Sequence, residues 1–369
     1  MAAKIHLIGA ARPNFMKIAP LFHALKKADW CRPILIHTGQ HYDPQMSGLF
    51  WQQLRLPEAD VHLGIGSGTH AEQTAGVMVA YERICLANRP DWVVVVGDVN
   101  STAACAIAAK KLCLPVAHLE AGLRSRDRTM PEEINRLVTD AISDLLLTPS
   151  ADADENLRRE GIPRDKIERV GNIMIDSFEM LREDIVGRRY HEELALTRGN
   201  YGVVTAHRPV NVDDPSAFAA LVSQLNAVAH RIPLVFPVHP RTRRRIMDFG
   251  LESGLNALIL VEPLGYVEFM SLVHDAKFVI TDSGGVQEET TYLGLPCLTV
   301  RDTTERPITI SEGTNRLIRV PEVEKAVNDV LEGRWPRYGP PALWDGKAAP
   351  RIAECLRSRI AQEGEGQCS

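Results

Sequence analysis

One pattern limits what this chain can fold into. Short apolar runs alternate with helix-length amphipathic segments, and the alternation runs twice. In the first pass, "KIHLIG" (4–9), "PILIHTG" (33–39), "WVVVVGD" (92–98) and "PVAHLEAG" (115–122) have the character of buried strands. Between them, "FMKIAPLFHALKK" (15–27), "HAEQTAGVMVAYERICLA" (70–87) and "STAACAIAAKKLC" (101–113) carry apolar residues three and four apart, the period of a helix. The pattern restarts with "YGVVTAH" (201–207), "PLVFPVH" (233–239), "ALILVE" (257–262), "KFVITDSGG" (277–285) and "PCLTV" (296–300). Helices are expected over Ala217–His230 and Gly265–Ala276. Repeated strand–helix–strand units build a parallel sheet with helices on both faces. Two such passes in 369 residues, 45 % of them hydrophobic, exceed what one core holds. The expected fold class is α/β, with two Rossmann-like domains, 1–172 and 173–348, facing across a cleft. The polar stretch 171–199 reads as the hinge region, and 349–369 as a last amphipathic helix and tail.

The remaining composition excludes several classes. A net charge of -5 without long blocks does not suit a nucleic-acid or membrane-surface protein. No apolar run approaches the roughly 18 residues of a membrane span, and "MAAKIHLIGAARPNF" does not read as a signal peptide. Seven Cys without a CxxC read as buried thiols of a reducing cytoplasm. Cys and His are not clustered at ligand spacing, so no metal is expected. The first strand is not followed by GxGxxG, so no dinucleotide cofactor is expected; "GIGSG" (64–68) does not open such a turn.

Ligands of open parallel sheets gather at the C-terminal ends of strands. In "TDSGGVQEE" (281–289), Ser283, Gly284 and Gly285 open a helix whose free N–H groups and positive dipole end favour an anion. Glycine lets a diphosphate approach the backbone. Glu288 or Glu289, one turn deeper, could accept from the hydroxyls of a ribose. An Asx-type turn that only caps the helix is the structural alternative. In the first half, Arg12 and Lys17 follow strand one and could neutralise a diphosphate, or be solvated surface charges. Asp98 and Glu120 end successive strands, which puts two carboxylates on one sheet edge. Glu132 and Arg136 share a face of a helix opened by Pro131. Crowded carboxylates have their pKa values pushed apart, which separates an acid from a base. His207 ends the first strand of the second half.

Taken together these residues resemble the non-hydrolysing UDP-N-acetylglucosamine 2-epimerases. The resemblance is carried by "ARPNFMKIAPL", "HTGQHYD", "GDVNST", "HLEAGLRS", "MPEEINR", "TAHR", "HPRT", "TDSGGVQEE" and "RDTTERP" followed by "EGTN". It implies a two-domain fold like the GT-B glycosyltransferases, with the C-terminal helix packing back on the first domain. It also implies a cytoplasmic homodimer, a UDP-sugar substrate and a role in surface polysaccharide precursors. Carried over by position, Asp98, Glu120, Glu132 and His207 match catalytic residues. Arg12, Lys17 and Arg136 match substrate-side cations, and Ser283, Gly284 and Glu289 match UDP-binding positions. Phe269 falls where an aromatic residue lies near the nucleotide, and Arg306 lies in a sugar-side loop. Many members read His-Arg-x-Glu-Asn where this chain has His207-Arg208-Pro209-Val210-Asn211. Many bacterial members place at Pro209 an arginine of a regulatory substrate site, which puts that regulation in question here.

The implied reaction interconverts UDP-GlcNAc and UDP-ManNAc. The C2 proton has no adjacent carbonyl, so the anomeric C1–O bond must weaken first. A carboxylate then takes the proton, which yields UDP and a 2-acetamidoglucal, and re-addition completes the epimerisation. Sequence does not say which carboxylate is acid and which is base. The rivals are a 2-epimerase for UDP-2,3-diacetamido-glucuronate, a GT-B glycosyltransferase and a catalytically silent nucleotide-sugar-binding module.

Overall fold

The computed structural model describes residues 2–39, 51, 53–336 and 339–366, without the side chains of Arg12 and 363–366. Residues 1–180 with 342–369 form one compact unit, and 181–341 form a second.

The first unit is built on seven parallel strands. They are β1 (Ala3–Gly9), β2 (Cys31–His37), β3 (Val61–His62), β4 (Trp92–Val96), β5 (Val116–Leu119), β6 (Leu145–Thr148) and β7 (Ile167–Arg169). Their order is β3-β2-β1-β4-β5-β6-β7. The strands read as near-continuous Val, Ile and Leu because both faces are covered; Trp92 to Val96 are all buried. The coverings include α1 (Arg12–Lys26), α2 (His70–Ala87), α3 (Asn100–Lys111), α4 (Pro131–Ile142), α5 (Ala151–Arg159) and α6 (Ile173–Met180). α3 is almost wholly buried and rich in alanine, which lets it lie close to the sheet. The C-terminal helix Ala348–Gly366 packs on α1 and α6. Its first N–H groups, of Ala348 and Ala349, are capped by Asp176 at 3.0 and 2.7 Å, which supplies partners for groups a helix start leaves open.

The second unit has six parallel strands: β8 (Gly202–Thr205), β9 (Leu234–Pro237), β10 (Ile259–Val261), β11 (Phe278–Thr281), β12 (Cys297–Val300) and β13 (Asn315–Ile318). Their order is β10-β9-β8-β11-β12-β13, the Rossmann order 3-2-1-4-5-6. The helices used below are α7 (Pro215–Ala229), α8 (Pro240–Asp248), α9 (Tyr266–His274) and α10 (Gly284–Leu293). Phe218, Phe236 and Phe278 anchor its core with Leu221, Leu225 and Leu234.

In both sheets the strand order reverses direction at one place, between β1 and β4 in the first unit and between β8 and β11 in the second. Helices leave opposite faces on either side of such a point, so the loops above it part and leave room for a ligand. The segments that leave these strands carry Lys17, in α1, with Asp98, and His207 with Ser283–Gly285.

Candidate active site

In the first unit, β4 and β5 pair so that Val96 lies beside Leu119. Asp98 and Glu120 therefore leave adjacent strands at one sheet edge. Glu120 holds a positive φ of 75° and is buried, a left-handed backbone that costs a non-glycine residue about 1–3 kcal/mol. Its carboxylate is ion-paired with the buried Lys17 of α1. Gly97, at φ 68°, holds a left-handed backbone that favours glycine; a Cβ there would make ordinary contact, 3.4 Å from Glu120 Oε2 and 3.6 Å from Lys17 Nζ. Asp98 Oδ2 lies 2.5 Å from Arg136 Nη2. Arg136 also donates to Glu133 Oε2 at 2.7 Å. Burial works against ionisation of Glu133. The N–H groups of Ser125 and Arg126 and the Arg136 guanidinium outweigh it, and hold the carboxyl below its ordinary range. Glu132 stands half-buried in the first turn of α4. Arg12 opens α1; its side chain lies outside the described residues. The result is a Lys17–Glu120 pair beside an Asp98–Arg136–Glu133 chain, in which each carboxylate touches a cation.

In the second unit, β11 delivers Asp282 and Ser283, and α10 begins at Gly284 with no side-chain cap on its first N–H groups. That leaves a positive, open helix start. The two glycines differ. A Cβ on Gly284 would fall 2.5 Å from Glu305 Oε1 and 2.7 Å from Arg306 Nη1, whereas a Cβ on Gly285 would meet nothing within 4 Å. Gly284 is needed by the protein's own packing, and Gly285 faces open space. The two glutamates of α10 also part company. Glu288 pairs with Arg306 Nε at 2.9 Å. Arg306 continues to Glu305 at 2.6 Å, and Glu305 to Arg301 at 2.9 Å. Glu289, equally buried, accepts from the Tyr266 hydroxyl at 2.8 Å. Burial, with the Glu288 charge behind it, raises the Glu289 carboxyl to about 8. Two carboxylates one turn into α10 would oppose an anion at its start, but one is balanced by an arginine and the other by a proton.

His207 lies above β8 with 41 % of its side chain exposed, and its Nδ1 is 3.0 Å from Asp282 Oδ1. Asp282 Oδ2 accepts from the N–H groups of His207 and Arg208 and from Asn211 Nδ2. Burial would raise Asp282, but His207 and these donors lower it overall. Asp282 is therefore a clamp between the two switch-point loops and not only a turn residue. His239, which caps α8 through Arg241 N, lies with its ring 5.8 Å from that of His207. Phe269 is half-buried on α9, one turn after Tyr266.

A family model described as UDP-N-acetylglucosamine 2-epimerase matches residues 23–357. The chain belongs to the UDP-N-acetylglucosamine 2-epimerase family. The UDP-N-acetylglucosamine 2-epimerase of Methanocaldococcus jannaschii is 39 % identical, over 96 % of this chain and 98 % of its own. Its crystal structure in complex with UDP-GlcNAc and UDP superposes with a TM-score of 0.85, over 96 % of this chain and 99 % of that one. The Pseudomonas aeruginosa UDP-2,3-diacetamido-2,3-dideoxy-D-glucuronate 2-epimerase is 38 % identical, over 96 % of this chain and 99 % of its own.

For a member of this epimerase family, sequence reasoning brought forward the strand-end residues and missed those that hold them. Glu133, Asp282, Tyr266, Glu305 and Arg301 went unread as partners. His118 and Asp140 did too, although a histidine inside the apolar strand "PVAHL" is a usable signal, since buried polar groups require partners. Among the described residues no helix is long and apolar enough to cross a membrane.

Proposed function

We propose that this protein interconverts UDP-GlcNAc and UDP-ManNAc by eliminating and re-adding UDP. The observation that carries the reading is the pair of carboxylates, Asp98 and Glu120, on adjacent strand ends, each touching a cation. In the forward direction the C1–O bond breaks and its electron pair leaves with UDP. Positive charge at C1 acidifies the C2 proton, which a carboxylate of the set Asp98, Glu120 and Glu132 removes. The C2–H electrons become the C1=C2 bond of 2-acetamidoglucal. Protonation at C2 from the opposite face and attack of the diphosphate on C1 give the epimer. Atoms balance without an oxidant or water. In the second unit the amides of Gly284 and Gly285 supply positive potential for the leaving diphosphate, in most such reactions a large stabilising contribution; in the first unit Lys17 and Arg136 are assigned to the substrate side. Arg12 is assigned with them on its position. Glu289 accepts the ribose diol, Phe269 lies against the base, Ser283 contributes to the phosphate seat, and His207, oriented by Asp282, serves the acid–base steps. Arg306 acts on the sugar side and balances the Glu288 charge through their ion pair.

The proposed setting is the cytoplasm, with products used for surface polysaccharide precursors and a homodimer as the working form. Exposed Val79 and Leu86, seven apart on α2, with Ile134 and Val138 on α4, support a covered face on the first unit. Light scattering would read two chains per particle, and one chain would reject the dimer. A second substrate, UDP-2,3-diacetamido-glucuronate, stands beside the first because the Pseudomonas relative is as similar as the archaeal one. Incubation with each UDP-sugar in D2O, read at C2 by NMR without NAD or metal, is the test. Deuterium at C2 with slow release of UDP and the glycal is expected. Retention of the original proton would reject elimination.

A further inference from the structure

The turn after β4 is held by side chains from several elements. Three successive carbonyls each accept a bond. Val96 O accepts from Asn14 Nδ2 at 3.0 Å and Thr102 Oγ1 at 2.8 Å. Gly97 O accepts from His118 Nε2 at 2.8 Å, and Asp98 O from Asn135 Nδ2 at 2.9 Å. His118, in β5 and fully buried, also faces a carboxylate, with Nδ1 2.6 Å from Asp140 Oδ1. Asp140 Oδ2 in turn meets Gly122 N at 3.1 Å and Arg124 Nη1 at 2.7 Å. Arg124 ends the chain on Glu160 at 2.6 Å.

The proton count follows from donor and acceptor chemistry. A carbonyl oxygen only accepts, so Nε2 carries a hydrogen. Asp140 is buried, which opposes its charge, but His118 and Arg124 more than offset that and hold it below the ordinary carboxylate range. It too accepts, so Nδ1 carries a hydrogen as well. A singly protonated ring would set a lone pair against a buried acceptor on one side, which costs about 1–3 kcal/mol or more. The charges along His118, Asp140, Arg124 and Glu160 alternate in sign, so the chain, buried as far as Arg124 and reaching the surface at Glu160, is neutral overall.

The Gly97 carbonyl belongs to the peptide whose N–H is that of Asp98, and Glu120 leaves β5 two residues after His118. We propose that His118 is a positioning residue of the epimerase: its doubly protonated ring ties the Gly97–Asp98 peptide to the exit of β5 and so fixes Asp98 relative to Glu120. The inference rests on the roles given above to those two carboxylates.

Two substitutions and one spectrum test it. H118Q can keep an N–H at the Nε2 position, whereas H118F keeps ring shape without a donor. Expected are a fall in kcat of about 10-fold for H118Q and about 100-fold or more for H118F, the scale of a misplaced acid–base group. KM and UDP affinity by calorimetry should stay within about threefold, because the residues given the ribose, the base and the phosphate seat, Glu289, Phe269 and Ser283, belong to the other unit. Equal losses in both variants, loss of UDP affinity together with kcat, or wild-type turnover in folded H118F would overturn the proposal. The wild-type enzyme, labelled with 15N-histidine and observed at pH 7, should show a buried histidine with both ring N–H groups present, and H118Q identifies the signal. A singly protonated ring would overturn the proposal whether or not the variants fold. The spectrum needs no turnover, so it decides the ring even where neither UDP-sugar reacts.

Discussion

Glu289→Gln separates the two jobs of that carboxylate, because its burden on folding depends on pH while its packing does not. The Glu289 carboxyl moves from 4.5 in the unfolded chain to about 8 in the folded unit, chiefly by burial, against the opposing bond from Tyr266. The folded state therefore keeps a proton that the unfolded state has lost. Stability is fully present below pH 4.5, falls as pH rises towards 8 and levels above it. With one pKa unit equal to about 1.4 kcal/mol, the loss is under roughly 1 kcal/mol at pH 5 and about 4 kcal/mol at pH 8. Glutamine has nothing to titrate. Its carbonyl can accept from Tyr266, and any cost of its amide group is the same at both pH values. The variant should thus gain about 3 kcal/mol on wild type between pH 5 and pH 8. The assay is urea unfolding at both values, followed by pulsed hydrogen exchange of the β11 amides so that the transition of the 181–341 unit is read. A gain below about 1 kcal/mol would show that Glu289 ionises in the folded unit as readily as in water, and the burial argument would fail.

Three further outcomes are expected. Asp98→Asn and Glu120→Gln should lose kcat by about 100-fold or more with UDP affinity retained, whereas Glu289→Ala should weaken UDP binding by about 2- to 10-fold, the net worth of a hydrogen bond to an uncharged carboxyl; calorimetry and initial rates on the same preparations separate the two. Gly284→Ala should destabilise by about 1–3 kcal/mol through overpacking against Glu305 and Arg306, while Gly285→Ala should melt like wild type and lose UDP affinity. The reverse reaction from UDP-ManNAc alone should start without a lag and without added UDP-GlcNAc, because Pro209 has neither the charge nor the N–H of the arginine found there in many bacterial members; a lag relieved by trace UDP-GlcNAc would show that other residues rebuild the regulatory site.

The legible parts of this fold were those with enough residues to show a period. Nine strands announced themselves as apolar runs, but β3, β6, β7 and β13 did not. β3 has two residues and β7 three, too few for alternation to be seen, and their exposure pattern is mixed. "LLLT" of β6 follows α4 so closely that its apolarity reads as a continuation of the helix. Site residues at strand ends were legible because topology alone sends them to one edge. Their partners were not. His118 and Asp140 are 22 residues apart, and Tyr266 and Glu289 are 23 apart, and no periodicity links them. The glutamate pair of "QEETT" shows the limit clearly. Both residues look equally suited to a ribose diol in sequence, and only the positions of Arg306 and Tyr266 distinguish a neutralised Glu288 from a protonated Glu289.

The two switch points also treat carboxylates in opposite ways, and the proposed chemistry gives a reason. In the first unit, Asp98 meets Arg136 and Glu120 meets Lys17, so each proposed proton carrier has a cation beside it. In the second unit the need is different. A nucleotide must stay bound through elimination and re-addition, and its phosphates would be repelled by Glu288 and Glu289 if both were bare charges one turn into α10. Arg306 cancels one, and burial against Tyr266 keeps the proton on the other. The Gly284–Gly285 N–H groups are thereby left as the dominant local field, positive and fixed. A UDP that leaves the sugar at C1 would remain seated there, which lets the same molecule return to the opposite epimer.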